Sequence, residues 1–251
     1  MTSLGATRTG GGPLLVALHG FTQTSSSMAP LTSILAENRT VVALDLPGHG
    51  TSTAVSADLE ETASLVVEAA GGEAFDLVGY SLGGRVALHV ACLSPPGLRS
   101  TTAISASLGI PDAALRADRL ARDVAMADAL ERDGDVEGFV TRWLANPLFA
   151  TLPATRADVG GRLANTAGGL ADSLRRCSVG AQRWLDGELG SLAAPLLLLA
   201  GMRDDPYLAG AVAASRHPGV AASAVPGSGH VCHLEQPRQT ARLIESFLGS
   251  R

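Results

Sequence analysis

Apolar residues in the first hundred positions gather into short runs, Leu14–Leu18, Val41–Leu44, Phe75–Gly79 and Thr101–Ile104, each followed by a longer segment with helix-compatible spacing. Runs this short, bounded by turn residues, read as buried strands, and the segments after them as crossovers of βα units. The pattern returns near the end with Pro195–Ala200 and Ala221–Val225, and Glu235–Leu248 reads as a closing amphipathic helix. Six such strands predict an α/β protein with a mostly parallel sheet and helices on both faces.

Between Pro111 and Leu185 the alternation stops. Arginine- and alanine-rich segments with helical spacing take over, broken at Pro147, Pro153 and Gly160–Gly161. A connection of this length in a compact protein tends to carry function. Residues 111–185 are therefore expected to form a helical cap, inserted after the fourth strand of a core made from residues 1–110 and 186–251.

Composition narrows the function. Hydrophobic residues make up 46% and charged residues 17% of the 251, enough apolar material for one sizeable core and too much for extensive disorder. The net charge of −5, with arginines scattered along the chain, disfavours nucleic-acid binding. No apolar run approaches the roughly 20 residues of a membrane span, and the glycine-rich opening Met1–Pro13 lacks the regions of a signal peptide. The expectation is a cytoplasmic protein, monomer or homodimer. Cys92, Cys177 and Cys232 are widely spaced and odd in number, which suits reduced apolar side chains better than disulfides or a zinc site. No metal or organic cofactor is indicated.

Gly79-Tyr80-Ser81-Leu82-Gly83 fits G-x-S-x-G, and it stands where that motif needs to stand, between a predicted strand and a predicted helix. The plain alternative is a glycine-rich turn with a surface serine, and it gives no reason for a matching acid and base further along the chain. A serine hydroxyl needs an imidazole to take its proton and a carboxylate to orient that imidazole. Asp204 lies just past the strand ending at Ala200, and His230 comes after the last strand in Gly227-Ser228-Gly229-His230. The order Ser, Asp, His is the one found in the α/β-hydrolase fold. Asp205 and His233 are the rivals; spacing from the strand favours Asp204, and the preceding glycines favour His230. In this fold an oxyanion is held by the N–H after the nucleophile, here Leu82, and by one from the loop after an early strand, here Phe21. His19 and His49 read as structural turn residues, and His89 and His217 as incidental.

Arg85 falls one helical turn after Ser81, and Arg119 and Arg162 fall in the expected cap. Guanidinium groups bind carboxylates in bidentate fashion, so such a cluster over the serine selects a small polycarboxylate. Any one of these arginines taken alone is better read as a solvated surface group.

Over about Leu14 to Leu248 the chain resembles the 2-succinyl-6-hydroxy-2,4-cyclohexadiene-1-carboxylate synthases of menaquinone biosynthesis. The general elements are Leu18-His19-Gly20-Phe21-Thr22, Asp45-Leu46-Pro47-Gly48-His49-Gly50 and Gly79–Arg85. The more specific ones are Trp143-Leu144-Ala145-Asn146-Pro147-Leu148-Phe149-Ala150, the stretch from Arg162 to Gln182, and Gly229-His230-Val231-Cys232-His233-Leu234-Glu235-Gln236-Pro237. The resemblance implies a lyase in a hydrolase fold: proton abstraction by Ser81, activated by His230 and Asp204, with elimination of pyruvate. It also implies substrate contacts by Arg85, Arg119, Arg162 and Trp143, with Arg116 and Arg122 within a turn of Arg119. The runner-up is a serine carboxylesterase or C–C bond hydrolase working through an acyl-enzyme. Met28, Asp205-Pro206-Tyr207 and Cys177-Ser178-Val179-Gly180 depart from the family pattern, and the short leader before Leu14 suggests that the fold's first two antiparallel strands are reduced or missing.

Overall fold

The computed structural model describes residues 3–249 and contains one strand that the apolar pattern does not announce, β1 (Ala6–Gly10). Then come the six expected ones: β2 (Leu14–Leu18), β3 (Thr40–Leu44), β4 (Phe75–Tyr80), β5 (Leu98–Ile104), β6 (Leu196–Gly201) and β7 (Val220–Val225). β1 reads Ala-Thr-Arg-Thr-Gly with every side chain exposed, so it has no hydrophobic signature. Backbone pairing alone places it, antiparallel to β3 from Ala6 opposite Leu44 to Gly10 opposite Thr40. One antiparallel strand of the fold is thus present. All other pairings are parallel, in the order β1-β3-β2-β4-β5-β6-β7.

Helices α1 (Ala29–Leu35), α2 (Leu59–Ala69) and α3 (Leu82–Leu93) come after β2, β3 and β4. Between β5 and β6 the chain runs through α4 (Ala113–Asp133), α5 (Val136–Leu144), α6 (Val159–Arg162) and α7 (Ala167–Arg176) without a strand. The remaining helices are α8 (Asp205–Ala214), α9 (Cys232–Glu235) and α10 (Pro237–Gly249). The single helix expected over Glu235–Leu248 starts at Pro237 instead: Gln236 leaves the helical region (φ −138°, ψ 60°), as a residue before proline tends to. Gly160–Gly161, expected as a break, lie inside α6, where the Asp158 carboxylate accepts from the Gly161 N–H at 3.3 Å. Among the described residues no helix is long and apolar enough to cross a membrane.

Strand alternation sorts the core into two layers. Leu15, Ala17, Val41, Ala43, Leu197 and Leu199 face Leu31 and Leu35 of α1 and Ala241 and Ile244 of α10. Leu14, Val16, Leu18, Val42 and Leu44 face Val66 of α2 and Val86 and Val90 of α3, while Leu196 and Leu198 meet Leu88 and, on α8, Ala211 and Ala214. Each fully buried leucine contributes roughly 1.5–3 kcal/mol. The α4–α7 segment has a smaller apolar centre of its own, Ala127, Leu130, Phe139, Leu170, Ala171 and Leu174. Sheet order reverses between β2, whose chain runs out to β3, and β4, whose chain runs the other way to β5. A crevice therefore opens beyond the carboxyl ends of β2 and β4, where open parallel sheets bind ligands.

Candidate active site

β4 ends at Tyr80 and α3 begins at Leu82, so Ser81 alone makes the turn, at φ 50° and ψ −105°. A non-glycine residue in such a conformation costs of order 1–3 kcal/mol and persists only when its surroundings hold it. Here the Ser81 N–H donates to the Ile104 carbonyl at 2.8 Å, and the Gly83 N–H donates to the His19 carbonyl at 3.0 Å. The turn is close enough that a Cβ on Gly79 would lie 2.1 Å from the Gly83 oxygen, and one on Gly83 would lie 2.5 Å from the Leu18 oxygen. Both motif glycines are required by backbone contact.

His230 reaches Ser81 from the loop after β7. Its Nε2 lies 3.3 Å from the Ser81 Oγ, and its Nδ1–H donates to Asp204 Oδ2 at 2.9 Å. With Nδ1 carrying the proton, Nε2 presents a lone pair to the hydroxyl, the arrangement a general base needs. Asp204 and His230 are buried, while Ser81 is half-buried at the cavity floor. Asp205 opens α8 and is exposed. His233 is fully buried in α9, where its Nε2 meets Gln23 Nε2 at 3.2 Å and not Ser81.

The loop carrying Phe21 is held by two neutral imidazoles. The His19 Nδ1–H donates to the Gly20 carbonyl and its Nε2 accepts from the Leu46 N–H. The His49 Nδ1–H donates to the Pro47 carbonyl and its Nε2 accepts from the Thr22 N–H. Burial lowers His19 to about 4, and burial together with the neighbouring His19 lowers His49 to about 3. Each ring is therefore one donor and one acceptor at neutral pH, and each ties one loop to the next. Phe21 and Leu82 line the same cavity as Ser81.

That cavity has a volume of ≈ 380 Å³. Trp143, Leu148 and Phe149 from the long inserted segment form an apolar side over the triad, with Phe149 6.1 Å and Tyr207 4.5 Å from the His230 ring. Four arginines, Arg85, Arg119, Arg122 and Arg162, line it as well. Arg85 and Arg162 are buried, and among the described residues neither is paired with a carboxylate. Arg85 Nη1 reaches only the neutral Gln182 Oε1, at 3.4 Å. Arg162 donates from Nε to the Ala157 carbonyl at 2.8 Å and from Nη1 to Thr22 Oγ1. Burial pulls both guanidinium pKa values down. Arg119 is bound to Asp123, and Arg116 turns away to the Ile110 carbonyl. Among the described residues no three His, Cys, Asp or Glu side chains are placed to hold a metal ion.

Residues 15–243 match the alpha/beta hydrolase family. Over 94% of its length the chain is 35% identical to the 2-succinyl-6-hydroxy-2,4-cyclohexadiene-1-carboxylate synthase of Serratia proteamaculans (strain 568), covering 93% of that protein. The chain belongs to this synthase family of alpha/beta hydrolases. A second synthase, from Enterobacter sp. (strain 638), is 32% identical over 98% of the chain and 96% of its own length. Among solved structures, MenH from S. aureus superposes with a TM-score of 0.90 at 28% identity, covering 100% of this chain and 99% of that one.

The fold thus brings to one cavity every residue that the synthase resemblance and the motif single out: Ser81, His230, Phe21, Leu82, Arg85, Arg119, Trp143 and Arg162, with Asp204 behind His230. Sequence reasoning misses four others. Tyr80 packs 5.5 Å from the His230 ring and 4.3 Å from that of His233, and Tyr207 lies across His230. Asp123 and Ser178 form the anchor of Arg119. The four-residue step from Arg119 to Asp123 is a legible helical pair; nothing in the local sequence marks Ser178.

Proposed function

We propose that this chain eliminates pyruvate from 2-succinyl-5-enolpyruvyl-6-hydroxy-3-cyclohexene-1-carboxylate, giving 2-succinyl-6-hydroxy-2,4-cyclohexadiene-1-carboxylate. The observation that carries the reading is the pair of buried arginines, Arg85 and Arg162, that line the cavity of Ser81 and have no carboxylate partner among the described residues. A buried charge left unpaired is expensive, and a polycarboxylate substrate supplies what the protein withholds. The synthase relatives point the same way.

The two ring structures dictate the chemistry. The double bond of the substrate moves from C3–C4 to C2–C3 and a new one forms at C4–C5, so a proton leaves C2 and the enolpyruvyl oxygen leaves C5. That C2 proton is acidified by the adjacent succinyl ketone and by the ring double bond. His230 Nε2 takes the Ser81 hydroxyl proton, Asp204 stabilises the imidazolium, and the Ser81 oxygen takes the proton from C2. Charge developing on the ketone oxygen is met by the N–H groups of Phe21 and Leu82. As the C5–O bond breaks, the departing pyruvate enolate takes the proton from His230 and the triad is restored. Residues 111–185 act as the cap that supplies Trp143, Arg119 and Arg162 and keeps water out. We place the enzyme in the cytoplasm.

Purified protein is expected to convert the cyclohexene substrate, monitored as the rise in diene absorbance, and Ser81→Ala is expected to lower kcat by at least about a thousandfold. A well-folded wild-type protein that gives no diene, but releases alcohol in a burst from a chromogenic ester and is trapped covalently at Ser81, is instead a serine hydrolase.

A further inference from the structure

Tyr207 stands in the first turn of α8, three residues beyond Asp204, and its N–H donates to the Asp204 carbonyl at 3.0 Å. The backbone turn that presents the triad carboxylate therefore also fixes this ring. The ring lies across His230, centroids 4.5 Å apart and planes at 55°, and lines the cavity with Ser81, Arg85 and Arg119. Among the described residues no group hydrogen-bonds its hydroxyl. Burial, and then the Asp204 carboxylate, push the phenol above its ordinary pKa against the opposing pull of Arg85 and Arg119. At neutral pH the group is thus a protonated donor within the field of two guanidinium groups.

We propose that the Tyr207 hydroxyl is a further substrate-binding group, donating a hydrogen bond to the carboxylate that Arg85 and Arg119 attract; this rests on the proposed polycarboxylate substrate. A carboxylate offers about four lone-pair positions and one guanidinium fork fills two. A neutral donor beside the fork fills a third position without adding charge to a site where buried Arg85 already bears a desolvation cost. The ring has a second task, to pack against the imidazole and restrict its rotation. Hydroxyl and ring are separable by mutation.

The substitution Tyr207→Phe keeps the ring and removes the donor. Its KM for the cyclohexene substrate is expected to rise about tenfold, the scale of one hydrogen bond to a charged group, while kcat falls less than twofold and the thermal midpoint stays put. Tyr207→Leu also removes the wall against His230, so kcat falls as well. Wild-type KM and kcat in Tyr207→Phe overturn the proposal. Calorimetric binding of the same tricarboxylate to Ser81→Ala and to Ser81→Ala/Tyr207→Phe separates this from the function itself. Equal affinities overturn the role of Tyr207 alone; wild-type protein that binds the ligand yet gives no diene overturns the lyase reading alone; absence of binding overturns both.

Discussion

The Nε–H of Arg119 lies against both carboxylate oxygens of Asp123, at 3.0 and 2.9 Å, one turn further along α4. Ser178 donates to the same carboxylate at 2.7 Å, and Asp123 is buried beneath the partly exposed arginine. Holding a guanidinium by its Nε leaves the Nη edge for a ligand. Asp123→Asn should therefore weaken substrate binding by loosening Arg119. Because Arg119 is more than a third exposed, the effect is modest, a KM increase of roughly threefold with little change in kcat. Steady-state kinetics on the variant and on Arg119→Ala check it, and the double variant should be no worse than Arg119→Ala.

Gly83→Ala tests the turn that carries Ser81. Its Cβ would fall 2.5 Å from the Leu18 carbonyl oxygen and 2.6 Å from that of His19, both backbone atoms of β2 and the loop after it. Backbone in the centre of a sheet cannot step aside cheaply. A loss of about 2–4 kcal/mol in urea denaturation is expected, together with loss of turnover as Ser81 shifts from His230.

Stability should depend on pH through histidines that are buried neutral. Burial lowers His19 to about 4, His49 to about 3 and His89 to about 4, and His233 goes well below its usual value. Between those values and the ordinary 6.5, the unfolded chain binds protons that the folded chain refuses, so stability increases with pH across that window. Each group contributes at most about 1.4 kcal/mol per pH unit there. The urea midpoint should be flat between about pH 7 and 8 and fall steeply from pH 6.5 towards 4.

His89 offers the cleanest single test of that linkage. It lies on α3, buried, with neither ring nitrogen hydrogen-bonded among the described residues. His89→Leu replaces a desolvated imidazole with an apolar side chain of similar bulk. The variant should match or exceed the wild type at pH 7, gain further at pH 5, and take up about one proton fewer on acid unfolding. A slope of stability against pH identical to that of the wild type would rule out His89 as a contributor.

The sheet and the approach of Ser81, His230 and Asp204 were readable in the chain because each leaves a periodic or spaced trace. Leu14–Leu18 and Leu196–Ala200 are buried on both faces and so are apolar without interruption, and Gly79 and Gly83 are glycines because backbone leaves no room for a Cβ. β1 left no trace, since its partner is recognised only by main-chain groups. The cavity walls were partly legible. Arg119 and Asp123 are one helical turn apart, and Tyr207 follows Asp204 by three residues, but Ser178 reaches the site through tertiary approach to α4, a distance that no local pattern encodes.

The unannounced strand has a consequence for how the protein behaves at high concentration. β3 carries five buried side chains, and without β1 its outer row of N–H and C=O groups would be an open template for a strand of another molecule. Thr7, Arg8 and Thr9 cover that row with a short polar ribbon, in which the exposed Arg8 comes within 3.8 Å of Glu73. β1 thus moves the edge of the sheet from the apolar β3 to a short polar strand, and disrupting its pairing is expected to make the protein aggregate more readily at high concentration.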